Sequence, residues 1–137
     1  MTEVAEGGCL CGAVRYTARG PLRPVVACHC HQCRKITGNF VTATSVARTG
    51  LEVSGDVTWF VSSDKAKRGF CGICGSNLFW DSGGPYVSIM AGTLDGDTGL
   101  KLAGHIYCSS KGDYYEITDG LPQAAEANPS LTSMVRE

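Results

Sequence analysis

The chain has 137 residues, 43% of them hydrophobic, enough for one core and close to the usual size of a single domain. Its formal net charge is -1 and its acids and bases are intermixed, which excludes the basic footprint of a nucleic-acid or membrane-surface binder. No stretch approaches the ~20 apolar residues that span a bilayer, and the acidic start MTEVAEGG leads into no apolar run, so the expectation is a cytoplasmic chain.

In chain order, short β-rich runs separated by glycines predict strands at AVRYTA (13–18), PVVACHC (24–30), FVTATSV (40–46) and VTWFVSS (57–63). They continue at RGFC (68–71), NLFWD (77–81), YVSIMAG (86–92) and HIYCSS (105–110). One short helix is expected at RKIT (34–37), ended by Gly38. The turn-dense GTLDGDTGL (92–100) reads as a loop, and QAAEANPSLTSMVRE (123–137) lacks strand signals and reads as a loose extension. The expected fold class is all-β, with short antiparallel strands and at most short helices, in one domain over 1–137 with its core over about 8–123.

Eight cysteines fall as Cys9-x-Cys11, Cys28-x-Cys30-x-x-Cys33, Cys71-x-x-Cys74 and a lone Cys108. In a secreted chain an even count would favour disulfides; in a reducing compartment such clusters favour metal binding or catalysis. In FCGICGSN, Gly72 and Gly75 suit a metal knuckle, because glycine takes the positive φ that wraps backbone around an ion. The rival is a redox pair, but a redox CxxC opens a helix, and here the run leads into a strand-like LFW. An extended segment puts Cys9 and Cys11 on one face, so Cys9, Cys11, Cys71 and Cys74 can close a structural four-thiolate zinc site.

In CHCHQC an extended backbone separates Cys28 and Cys30 from His29 and His31, and Cys33 tips the choice to sulfur. Cys28, Cys30 and Cys33 then give three local thiolates and a fourth tetrahedral position for water or substrate, the coordination of a reactive zinc. Either histidine could instead close the site, and His105 or Cys108 could fold back onto it. A lone cysteine such as Cys108 is more often a small buried hydrophobe, and His105 is either a structural histidine or a proton shuttle.

GGCLCGAVRY, CHCHQCRKITG, RGFCGICGSNLFW, AGTLDGD and HIYCSSKGDYYEITDGLPQ together resemble the glutathione-dependent formaldehyde-activating enzyme (GFA) family, which includes the centromere protein V relatives. The resemblance implies a zinc-stabilised β-tent with two zinc ions per chain, Cys9, Cys11, Cys71 and Cys74 matching the structural ligands and Cys28, Cys30 and Cys33 the catalytic ones. It also implies a carbon–sulfur lyase-type activity that joins glutathione to formaldehyde, so the expected partners are a small thiol and an aldehyde. The sequence departs from the family pattern at GDYYEI, with tyrosines where a tryptophan is common, and in the extra thiol Cys108 beside His105.

Beside the triad, Arg34 and Lys35 can offset the carboxylates of an anionic thiol; Arg34 is the better anchor because its fork grips a carboxylate through two bonds. With His105 they are the candidate substrate-pocket residues. A non-catalytic zinc-stabilised binding module is the alternative, marked by a second zinc filled by four protein ligands. A thiol redox protein is the third reading.

Overall fold

The computed structural model describes residues 3–133, which fall into two compact units, 3–22 with 44–99 and 23–43 with 100–133. The chain is all-β, mostly short strands with few and short helices.

The first unit contains a three-stranded antiparallel sheet of β1 (Val4–Gly8), β2 (Arg15–Arg19) and β5 (Leu51–Ser54), ordered β1-β2-β5. Tyr16 and Ala18 of β2 point inward while Arg15 and Arg19 stay outside, the alternation that a half-buried strand requires. Sequence pattern missed β1, which ends in two glycines, and β5, which is almost wholly exposed; both are held by pairing with β2. A meander follows, β6 (Val57–Val61), β7 (Lys67–Cys71), β8 (Asn77–Asp81) and β9 (Tyr86–Met90), each antiparallel to the next. Its core gathers Leu78, Phe79, Val87 and Ile89, and the Tyr16 ring meets Phe79 edge-on at 5.4 Å.

The second unit is built on β3 (Val25–Cys28), which pairs antiparallel with the start of β4 (Val41–Ala47) and parallel with β10 (Leu102–Ile106). The parallel pair departs from the purely antiparallel expectation. Helix α1 spans His31–Thr37, one turn earlier than expected, with Cys30 as its N-cap and Gly38 in the left-handed conformation at its C-cap. The run HIYCSS is a strand only as far as Ile106; Tyr107 takes φ 55°, and Cys108 opens a 3-10 turn.

The tail is not loose over its described residues. The Ala124 N–H donates to the His105 carbonyl at 2.9 Å, and Tyr107 and Cys108 donate to Glu126 and Ala124 at 3.0 Å each. Leu131, in α2 (Pro129–Thr132), packs over Gly104, where a β-carbon would meet its Cδ1 at 2.9 Å. Buried Arg23 donates to the carbonyls of Ala43 and Thr132, which secures the same segment from β3's side. Residues 134–137 of the expected extension lie outside the described residues.

Candidate metal centres

The two cysteine clusters fall one in each unit. In the first, Cys9, Cys11, Cys71 and Cys74 bring their sulfurs within 4.8 Å of one another. Cys9 Sγ lies 3.6 Å from Cys11 Sγ, which lies 3.8 Å from Cys71 Sγ. Tetrahedral thiolate ligation with metal–sulfur bonds of about 2.3 Å puts sulfurs roughly 3.8 Å apart, so this donor set fits such an ion.

Cys9 and Cys11 arrive there on a turn rather than on an extended segment. β1 ends at Gly8, the Cys9 N–H donates to the Val14 carbonyl at 3.0 Å, and Gly12 takes φ 84° at the turn's tip. The second turn closes with Cys71 N–H to the Ser76 carbonyl and Gly75 N–H to the Cys71 carbonyl. Of its two glycines only Gly75 has positive φ, at 82°; Gly72 is small for another reason, because a β-carbon would lie 2.6 Å from Thr58 Oγ1. The turn leads into β8 and not into a helix, so it lacks the helix start of a redox CxxC.

Backbone and hydroxyl donors point at these sulfurs. The Val14 N–H donates to Cys9 Sγ at 3.2 Å and holds that thiol below its ordinary range. Ile73 N–H donates to Cys71 Sγ at 3.4 Å. Sequence reasoning overlooked Ser76, whose hydroxyl accepts from the Leu10 N–H at 3.0 Å and lies 3.2 Å from Cys74 Sγ. With its oxygen accepting, its proton goes to the sulfur, and the Cys74 thiol is lowered to about 5.

The second cluster is Cys28, Cys30 and Cys33, again within 4.8 Å of one another. β3 delivers Cys28, the N-cap position delivers Cys30, and the first turn of α1 delivers Cys33, which is buried. The Cys33 N–H donates to Cys30 Sγ at 3.4 Å, so one thiol does the work of a capping side chain. Hydrogen bonds from the Cys28 and Cys33 thiols bring Cys30 down to about 2, and the same bonds hold Cys28 well above its usual range.

Neither histidine of CHCHQC joins the three sulfurs within that distance. His29 is buried with both ring nitrogens engaged, Nδ1 at 2.5 Å from Tyr115 Oη and Nε2 at 2.9 Å from His105 Nδ1. Burial, with His105 and Lys111 close by, pushes His29 down to about 4. His31 is exposed, its Nδ1 lying 3.3 Å from an Arg34 nitrogen. Cys108 is half-buried and also outside the cluster.

His105 is therefore one link of a buried chain, because its Nε2 lies 2.7 Å from Asp119 Oδ2. Phe40 lines this chain, its ring 4.6 Å from His29 and 5.5 Å from Tyr115, and the Tyr114 hydroxyl donates to the Gly38 carbonyl at the end of α1. Arg34 is half-buried and Lys35 exposed, both on α1 directly after Cys33. Tyr115, Asp119 and Ser76 were not singled out from sequence. The tyrosine pair of GDYYEI, already a departure from the family pattern, was the available signal for Tyr115.

Mostly β structure carrying two compact cysteine clusters defines a class of small proteins able to hold two metal ions. The GFA family model, described as glutathione-dependent formaldehyde-activating enzyme, matches residues 4–110, and the chain belongs to that family. An uncharacterized lyase of Schizosaccharomyces pombe is 26% identical over 118 residues, which cover 83% of this chain and 85% of that protein. A crystal structure of a Rhodobacter sphaeroides protein has the same fold, with TM-score 0.58 and 21% identity over 71% of this chain and 98% of that one. No helix among the described residues is long and apolar enough to cross a membrane.

Proposed function

We propose that the protein is a zinc-dependent carbon–sulfur lyase-type enzyme that makes or breaks a hydroxymethyl adduct of a small thiol, with glutathione and formaldehyde as the substrate pair. It holds two zinc ions. Cys9, Cys11, Cys71 and Cys74 keep a structural ion, and Cys28, Cys30 and Cys33 keep one at the reaction site.

One observation carries the reading: three sulfurs converge in the second cluster while the adjacent histidine is committed at both ring nitrogens. Three protein donors leave a tetrahedral ion one position for a ligand from solution. Zinc bound there supplies a soft electron-accepting centre that favours the thiolate form of an added sulfur. Three cysteine thiolates outweigh the ion's two charges, which suits the site to exchanging thiols better than to activating water. Arg34 offers a two-pronged grip for a substrate carboxylate, and Lys35 adds charge beside it. The family description and the lyase name of the yeast relative support this reaction class.

Because formaldehyde and thiols combine unaided, the test subtracts that background. Exchange between glutathione and formaldehyde is followed by NMR with wild type, Cys30→Ser and no protein. Acceleration by wild type alone supports the reading. A wild type that neither accelerates exchange nor binds glutathione at millimolar concentration overturns it for this substrate and leaves the binding module in its place.

A further inference from the structure

β6 is the last strand of its sheet, with β7 on one side and no strand among the described residues on the other. The ladder to β7 decides which way its backbone groups turn. The Ser62 N–H donates to the Ala66 carbonyl at 3.1 Å where the hairpin begins, and an antiparallel ladder alternates, so Phe60 and Thr58 exchange bonds with Arg68 and Phe70. Cys71, opposite Val57, commits its N–H to Ser76 on the far side, which agrees with that phase. Val57, Trp59 and Val61 therefore turn their N–H and C=O groups toward the open side.

The side chains of this edge are apolar and uncovered. Val57 and Trp59 lie over Gly69, where a β-carbon would meet each of them at 2.9 Å, and the Trp59 ring stacks on Phe79 at 6.2 Å. Thr58 and Phe60 stand on the opposite face. Trp59 is 39% exposed, Phe60 56% and Val61 71%. Soluble proteins guard such edges with charge, proline, bulges or a covering segment. Other edges here are guarded: β5 carries Glu52, paired with Arg19, and the Asp95 N–H donates to the Glu6 carbonyl on β1. β10 is covered by the bridge from His105 to Gln123. VTWFV has no charge, no proline and no glycine.

We propose that β6 is a dimerisation edge, pairing antiparallel with β6 of a second copy of this chain across a two-fold axis at Trp59. This register sets Val57 against Val61 of the second copy and Trp59 against its own counterpart, so all three outward residues join in about six hydrogen bonds. On the other face Phe60 stands against Thr58 of the second copy, and the two Phe60 rings meet on the diagonal, within aromatic reach. Charge favours the same arrangement. Asp56 precedes the strand, while Asp64, Lys65 and Lys67 follow it with a surplus of positive charge. The two-fold brings each acidic end beside a basic one, whereas a parallel pair would set like against like. Side chains of this kind bury about 150–250 Å² when enclosed, so the exposed parts of Trp59 and Phe60 amount to roughly 200 Å² per chain. A standard interface takes about 800 Å² from each side, which makes this a weak, reversible dimer. With one β6 per chain, the pairing closes at two copies.

Sedimentation of the full chain, purified without chelator, between about 1 μM and 1 mM should show the mean mass rising from one chain toward two and no further. Hydrogen exchange at the two ends of that range locates the interface. The Val57, Trp59 and Val61 amides should be protected only in the concentrated sample, while Thr58 and Phe60, bonded to β7, stay protected in both. Val61→Pro removes an outward N–H and leaves the bonds to β7, as a proline on a sheet edge does. Val61→Lys keeps every backbone group and adds a charge that guards the edge. Each variant should keep the near-ultraviolet circular dichroism of wild type and shift the midpoint of association upward at least tenfold; where the proline variant fails to fold, the lysine variant decides. A chain still monomeric at about 1 mM, or growth beyond two copies, overturns the proposal. So does a dimer whose midpoint a folded variant leaves in place, or whose edge amides exchange equally at both concentrations, because its interface then lies elsewhere.

Discussion

The Ser76 hydroxyl joins Leu10 to Cys74, accepting from the Leu10 N–H at 3.0 Å and lying 3.2 Å from Cys74 Sγ. It thus fastens the turn of Cys9 and Cys11 to the turn of Cys71 and Cys74. Ser76→Ala removes about 1 kcal/mol of hydrogen bonding. It should also weaken metal retention at that site by about 10- to 100-fold, as the loss of a group that orients a ligand does. Competition with a graded series of chelators measures this, and a retention equal to wild type would show that Ser76 only spaces the turn.

The two clusters should respond differently to loss of one sulfur. Cys71→Ser removes a donor from the site that ties two turns some sixty residues apart, so the cost is comparable to the whole stability of a domain, about 5–15 kcal/mol. That variant should be unfolded or insoluble. Cys30→Ser should fold, because serine caps α1 as well as a thiol does, while lacking metal at the triad. Circular dichroism and zinc analysis separate these outcomes, and equal melting of the two variants contradicts the division of roles.

Protein purified without chelator should approach two zinc equivalents. Under mild chelation the first equivalent lost should come from the triad, whose three donors sit on one short segment. Zinc release monitored with a colorimetric reagent in wild type and Cys30→Ser reads the order; the variant should lack the fast phase.

Asp81 sets part of the acid limit of the first unit. Its buried carboxylate accepts from two Arg48 nitrogens at 3.0 and 2.5 Å and from the Gly83 N–H, and the Arg48 bonds hold it below the ordinary carboxylate range. The folded state therefore binds that proton less readily than the unfolded chain. The stabilisation is complete above the usual carboxylate pKa of about 3.9 and disappears as the pH falls through the lower folded value. Asp81→Asn should cost about 2 kcal/mol at neutral pH and progressively less toward pH 2, read from urea midpoints across that range.

The cysteine clusters were legible because ligand spacing is a local property: two turns and one short segment carry all seven sulfurs. The histidine chain was not, because His29, His105, Tyr115 and Asp119 meet only after β10 lies parallel to β3, with His105 opposite Ala27. A parallel pair carries no hairpin signal. The tail was misread for a related reason: residues 124–126 dock through backbone donors and acceptors, which every residue carries and side-chain pattern does not reveal. The extended backbone expected through Cys9–Cys11 is a turn instead, whereas through Cys28–Cys30 it holds as far as the N-cap Cys30, which is itself extended.

The docked tail also dictates a timetable. β3, the triad and α1 leave the ribosome well before β10 and the segment that secures it. The unit containing 23–43 is finished only once residues 100–126 have been made, whereas Cys71 and Cys74 complete the first cluster before that. Cys28, Cys30 and Cys33 are thus made after Cys9 and Cys11 yet wait longer for the segments that complete their unit.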